Sequence, residues 1–147
     1  KYHGLRTEWY DNGQKEWETN YKVGKRDGLW IWWYENGQRS REENYKEGKY
    51  HGLRTEWYEN GQTMMEARYK DGKEDGLQFY WYENGQKRHE TNFKDGKLIS
   101  TEVWKPNGEK CPVTKIDKDG NGFLVAYNED GTESSRATYK DGQYVYD

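Results

Sequence analysis

Apolar and polar residues alternate along this chain in short bursts, punctuated by glycine at regular intervals. Leu5, Thr7 and Trp9 occupy every second position, and the spacing returns at Leu29, Ile31, Trp33, at Leu53, Thr55, Trp57 and at Leu77, Phe79, Trp81. A period of two belongs to a half-buried strand. Each run leads into Asn12-Gly13, Asn36-Gly37, Asn60-Gly61, Asn84-Gly85 or Asn107-Gly108, with Asp130-Gly131 as a degenerate sixth turn. Such dipeptides supply the positive φ that a tight hairpin requires. Proline is scarce and no helical periodicity is present, so the pattern predicts an all-β chain whose unit is strand, turn, strand.

The units repeat. Gly4, Gly28, Gly52 and Gly76 are 24 residues apart, Gly24, Gly48, Gly72 and Gly96 keep the same rhythm, and residues 1–10 and 49–58 are identical. This predicts one repeat domain over 1–147, with four regular 24-residue repeats in 1–98 and two divergent ones in 99–147. A lone hairpin is marginal in water, and repeat units bury surface against their neighbours. The expected architecture is therefore an elongated single-layer antiparallel sheet of about six tandem hairpins.

Register decides which side chains share a face, since a slip of one residue exchanges the faces. A three-residue loop, Glu59-Asn60-Gly61 with Gly61 left-handed, sorts Leu53, Thr55, Trp57, Met65, Ala67 and Tyr69 onto one side. The sixth copy sorts likewise into Phe123, Val125, Tyr127, Ser135, Ala137 and Tyr139. On this register two columns form the core: Trp9, Trp33, Trp57, Trp81, Trp104 and Tyr127, and Tyr21, Tyr45, Tyr69, Phe93, Ile116 and Tyr139.

Composition narrows the function. Only 31% of residues are hydrophobic, too few for a thick core, while 17% are aromatic and able to stabilise a thin one. A formal net charge of −3 with both signs interspersed lacks the basic face of a nucleic-acid binder. No apolar run is long enough to span a membrane. The chain opens on KYHGLRTEWY without Met, as expected of a trimmed fragment, so the compartment, bacterial cytoplasm or exported, stays open. Its one cysteine, Cys111, precludes an internal disulfide.

The stretches WYENGQ and YKDGKEDG resemble the bacterial variant of the MORN repeat, strongly over 1–98 and more weakly over 99–147. The resemblance implies a twisted, groove-like chain of hairpins without an enzyme active site or cofactor. It also implies a scaffold, a partner-binding module or the neutraliser of a toxin. Ser100, Lys105 and Pro106 depart from the pattern in the fifth copy.

Catalysis finds little support. His3 and His51 stand where other copies have Asp27 and Asp75, as turn residues do; the ladder Glu18, Glu42, Glu66, Glu90 suits a repeated structural task; and Cys111 suits packing. The segment from Asp117 to Leu124 matches the first half of a calcium loop, but Asn128 stands where the bidentate Glu belongs. A turn between the fifth and sixth hairpins accounts for it, and Asp117, Asp119 and Asn121 are kept as a candidate metal contact beside that reading.

The face opposite the expected core presents Tyr10, Tyr34, Tyr58 and Tyr82, flanked by Trp30, Trp32 and Tyr80 and bordered by Arg54 and Arg68 among other charges. Interfaces concentrate such residues. Copies one and three carry Arg6, Glu8, Arg54 and Glu56 where copy two has Trp30 and Trp32, so the sheet does not require tryptophan there. The expectation is a non-enzymatic protein-interaction module, of the antitoxin or immunity type, binding through this face. A carbohydrate or cell-wall module and a self-assembling spacer, pairing through open end strands, are the alternatives.

Overall fold

A computed structural model describes residues 1–146 and divides the chain into two compact units, Lys1–Lys73 and Glu74 onward. Every regular element among the described residues is a strand, so the protein is all-β and built from tandem antiparallel hairpins. In the first unit β1 (Gly4–Trp9), β2 (Lys15–Lys22), β3 (Lys25–Trp33), β4 (Arg39–Lys46), β5 (Lys49–Tyr50), β6 (Gly52–Trp57) and β7 (Thr63–Lys70) follow one another. Their sheet order is β1-β2-β3-β4-β6-β7, with β5 beside β4, and the two-residue β8 (Lys73–Glu74) pairs with β7.

Two kinds of turn join the strands. At the hairpin tips the Tyr58 N–H donates to the Gln62 carbonyl at 2.8 Å, and the Gly61 N–H donates to the Tyr58 carbonyl at 2.9 Å. Gly61 has φ of 84°. This is the expected three-residue loop, and Asn60 completes it by accepting the Gln62 N–H at 2.9 Å. At the bases, Asp71 and Gly72 both have positive φ, 51° and 84°, the pattern of a two-residue type I′ turn.

The face assignment is overturned by a second irregularity. Trp57 pairs with Thr63, but Glu56 pairs with Met65, so Met64 is an extra residue in the ladder. The same bulge falls at Glu16, Ser40, Arg88 and Ser134. One added residue exchanges the faces of everything beyond it. Leu53 and Thr55 therefore face the side of Arg68 and Glu66, while Arg54 and Glu56 pair with Ala67 and Met65. In the sixth copy Leu124 pairs with Ala137 and Val125 with Arg136, again contrary to the expected grouping.

The bulge also explains the glutamate ladder. Lys15 bonds Glu18 at 2.6 Å, Lys87 bonds Glu90 at 2.9 Å, and Arg39 pairs with Glu42. Three positions apart, these partners would diverge in a regular strand; the extra residue brings them to one side.

Once the register is corrected, one face of the first unit is constant between copies and the other varies. The constant face carries Leu5, Leu29 and Leu53 with Glu18, Glu42 and Glu66 opposite or beside them. Trp9, Trp33 and Trp57 lie at its tip end, Trp9 58% exposed and the other two half-buried, so in the first unit this column is not the buried core expected of it. The variable face carries Arg6, Glu8, Trp17 and Thr19, then Trp30, Trp32, Arg41 and Glu43, then Arg54, Glu56, Met65 and Ala67. Thr19, Glu43, Met65 and Ala67 are buried there.

In the second unit β9 (Gly76–Trp81), β10 (Lys87–Lys94) and β11 (Lys97–Val103) continue the hairpin pattern. β12 (Lys115–Ile116), β13 (Gly122–Tyr127), β14 (Glu133–Lys140) and β15 (Gln143–Val145) form a separate four-stranded sheet. The break falls in the fifth copy, where the return strand after Gly108 is reduced to the Trp104–Lys110 bridge and the Cys111 N–H bond to Val103. Pro112 follows with no N–H to extend the ladder. Val103, Cys111, Val125 and Tyr127 make a buried apolar cluster with Phe123 and Leu124 against it.

Candidate functional site

Cross-strand neighbours on the variable face assemble a continuous layer of rings and charges in the first unit. β3 sets Trp30 and Trp32 on the same side, and their rings stack at 4.3 Å between centroids. Trp17 of β2 meets Trp30 edge-on at 5.8 Å. Beyond Trp30 come Tyr45 at 5.9 Å, Tyr50 at 4.8 Å from Tyr45, and Tyr69 at 5.1 Å from Tyr50. The Arg26 guanidinium lies 3.6 Å from the Trp30 ring centre, and Arg41 covers Trp32 at 5.4 Å. Each such cation–ring contact contributes about 0.5–2 kcal/mol, more as water is excluded.

A carboxylate sits under this layer. Glu43 is 1% exposed. Its oxygens accept from the Tyr45 hydroxyl at 2.8 Å and the Tyr50 hydroxyl at 3.3 Å. Arg54 approaches it to 3.4 Å and Arg41 to 3.8 Å. Both arginines also hold Glu56, Arg41 at 3.1 Å. Burial and the bonds to Tyr50 and Glu43 push the Tyr45 phenol well above its ordinary range, so it stays protonated and donating. Burial works against the Arg54 charge, yet Glu56 and Glu43 more than offset it and keep the guanidinium firmly charged. The Trp30 indole N–H is buried with no hydrogen-bond partner, which costs stability at that position.

The expected site residues separate into three groups. Trp30, Trp32 and Arg54 share the variable face of the first unit, and Tyr80 occupies the corresponding face of β9. Arg68 pairs with Leu53 and lies on the opposite face, exposed. Tyr10, Tyr34 and Tyr82 are rungs between copies: their hydroxyls donate to the carbonyls of Trp33 at 2.6 Å, Trp57 at 2.5 Å and Trp104 at 2.8 Å. Tyr58 holds the same place at its own tip, its backbone closing the turn.

In the second unit the segment from Asp117 forms the turn between β12 and β13, with the bonding seen at the hairpin tips. Gly120 N–H donates to the Asp117 carbonyl at 3.0 Å and Asp117 N–H to the Asn121 carbonyl at 2.9 Å. One Asp117 carboxylate oxygen accepts the N–H groups of Asn121 and Asp119, both at 2.9 Å, and these bonds hold its pKa below the ordinary carboxylate value. The Asn121 side-chain oxygen is taken by the Asp141 N–H at 3.0 Å. Among the described residues no three His, Cys, Asp or Glu side chains gather to hold a metal ion. Cys111 is buried with its sulfur 3.1 Å from the Tyr127 hydroxyl.

Glu43, Arg26, Arg41 and Tyr50 were missing from the sequence reading of the site. The signal that could have found them is variation between otherwise regular copies: Thr19, Glu43 and Ala67 occupy equivalent positions and share no chemistry.

No helix of the described residues is long and apolar enough to cross a membrane. No curated protein matches the chain. The sequence profile of the MORN repeat variant matches residues 2–22, 26–47, 50–71 and 74–95, more than half of the chain. Four tandem matches on four tandem hairpins place the chain in the MORN repeat variant family, whose repeats suggest a binding module and are generally non-catalytic.

Proposed function

We propose that the chain is a non-enzymatic protein-binding module and that the variable face of its first unit, centred on Trp32, Arg41, Arg54 and Tyr50, is the docking surface. The observation that carries this reading is the partition of variation. Residues needed to build a hairpin recur on the constant face, whereas residues that differ between copies gather on the other and include the aromatic and arginine side chains that dominate interface energetics. The first unit is a single sheet, so its variable face has no second layer of its own unit to cover it. The buried Glu43 network supports the reading further, because it holds Arg41, Arg54 and the tyrosines in fixed geometry and so lowers the ordering cost of binding. An antitoxin or immunity role, with a toxin as partner, is the specific form we propose.

The test compares capture from source-cell lysate by the wild-type chain, a Trp32→Ala/Arg41→Ala variant and a constant-face control, Leu29→Ser. A single stoichiometric protein retained by wild type and control but lost from the Trp32/Arg41 variant supports the proposal. Equal retention by all three overturns it, as does retention of nothing by a folded sample.

A further inference from the structure

The second unit contains a cleft of about 370 Å³, within the size range of small-ligand sites. One wall is the face of β9 and β10 with Gln78, Tyr80, His89 and Thr91; the other brings Tyr139 of β14 and Tyr144 of β15. Glu74 and Phe93 also line it.

The charge of the lining is one-sided. Among the described residues Glu74 is its only carboxylate, and no lysine or arginine lines the cleft. Among the described residues no cation pairs with Glu74; one of its oxygens accepts the Gln78 amide at 3.0 Å. His89 does not supply a positive charge, because burial and then the neighbouring Arg88 push its pKa down to about 4. Its Nδ1 is buried without a hydrogen-bond partner. The Tyr80 ring lies 4.3 Å from the imidazole, and its hydroxyl donates to the Gln78 side-chain oxygen at 3.3 Å. Tyr139 and Tyr144 meet edge to face at 5.9 Å on the opposite wall.

Aromatic walls around a single carboxylate select by charge. An anion meets Glu74 with nothing to offset the repulsion, and a purely apolar ligand desolvates the carboxylate without replacing its hydrogen bonds. A cation with N–H donors satisfies the site on two counts: ring faces attract it, and Glu74 pairs with it in a charge-assisted bond.

We propose that this cleft binds a guanidinium or primary ammonium group, such as an arginine or lysine side chain. The inference does not depend on the docking surface of the first unit, and it is tested without a protein partner. The His89 and Thr91 resonances of the wild-type protein are followed by NMR during millimolar titration with N-acetyl-arginine amide, with its neutral isostere N-acetyl-citrulline amide, and with putrescine. Saturable shifts with the arginine compound, weakened at least tenfold for citrulline and for Glu74→Gln, are expected. Tyr144→Leu, at a ring that is 46% exposed, should weaken binding severalfold in a chain whose circular dichroism is unchanged, which guards against misfolding of the Glu74 variant. Binding of putrescine alone would assign the site to free amines; binding of both cations, to the charged group itself. Equal affinity for citrulline, or no saturable shift with any cation, overturns the proposal.

Discussion

Trp30 and Trp32 stack on one side of β3 with their planes 19° apart, and Glu43, the residue that pairs with Trp30 across the ladder, is almost completely enclosed. A carboxylate at the bottom of an aromatic layer is held by its partners alone. Its removal takes the acceptor from the Tyr45 and Tyr50 hydroxyls and leaves Arg41 and Arg54 with Glu56 alone.

Glu43→Ala is therefore expected to lower stability by about 3 kcal/mol, the scale seen when one member of a buried ion pair is deleted. Urea unfolding monitored by tryptophan fluorescence measures it. A loss below about 1 kcal/mol would mean that the arginines and tyrosines reorganise around water, and that the network does not fix the face.

The tyrosine rungs make a smaller prediction. Tyr34→Phe keeps the ring and deletes the hydroxyl bonded to the Trp57 carbonyl, for an expected cost of about 1 kcal/mol. The same unfolding experiment applies. An unchanged midpoint would show that the rung forms without contributing net stability.

Gly120 marks a place where backbones touch. A Cβ there would stand 2.4 Å from the Gly142 nitrogen and 2.7 Å from its Cα, so Gly120→Ala must push apart the 117–121 loop and the turn between β14 and β15. Hydrogen exchange should show lost protection across β12–β15 with β1–β4 unaffected. Uniform loss throughout the chain would contradict local disruption.

His89 sets a pH dependence whose sign is fixed by the direction of its shift. The folded pKa, about 4, lies below the ordinary histidine value near 6.5, so between these limits the unfolded chain binds the additional proton. Stability is then full above about pH 6.5 and falls as the pH drops toward 4, by on the order of 3 kcal/mol. His89→Phe, which preserves a ring beside Tyr80, should flatten that part of the profile relative to wild type. Parallel profiles for the two proteins would refute the assignment.

The hairpins and their tips were legible because their signals are local: Asn-Gly stands three residues beyond Trp9, Trp33, Trp57, Trp81 and Trp104, and Gly61 adopts the left-handed conformation that such a turn demands. The bulge was not legible, because its position holds Glu16, Ser40, Met64, Arg88 and Ser134, which share no size, charge or backbone preference. Those five residues decide which face every other side chain joins. The faces were consequently read half correctly: Trp30, Trp32 and Arg54 do share one side, but Met65 and Ala67, expected on the opposite side, lie beside Arg54 and Glu56. The tyrosines at 10, 34 and 82 were read as a surface, whereas their hydroxyls reach the next hairpin, a relation between copies that no single copy reveals.

Within each unit, successive regular hairpins are tied at two ends. At the tip a tyrosine hydroxyl reaches forward to a tryptophan carbonyl, and at the base a glycine N–H reaches back, as Gly24 does to Tyr2, Gly48 to Arg26 and Gly72 to Tyr50. Every copy thus brings both halves of the fastening with it, and a gene segment encoding one whole hairpin can be duplicated in tandem without any new contact having to arise. The identical stretches 1–10 and 49–58 fit growth of that kind. The fifth copy has a different outcome: the Tyr82–Trp104 fastening survives, but the ladder does not run on past Cys111 and Pro112. Such a chain lengthens by whole modules, and its sheet ends where one copy departs from the pattern.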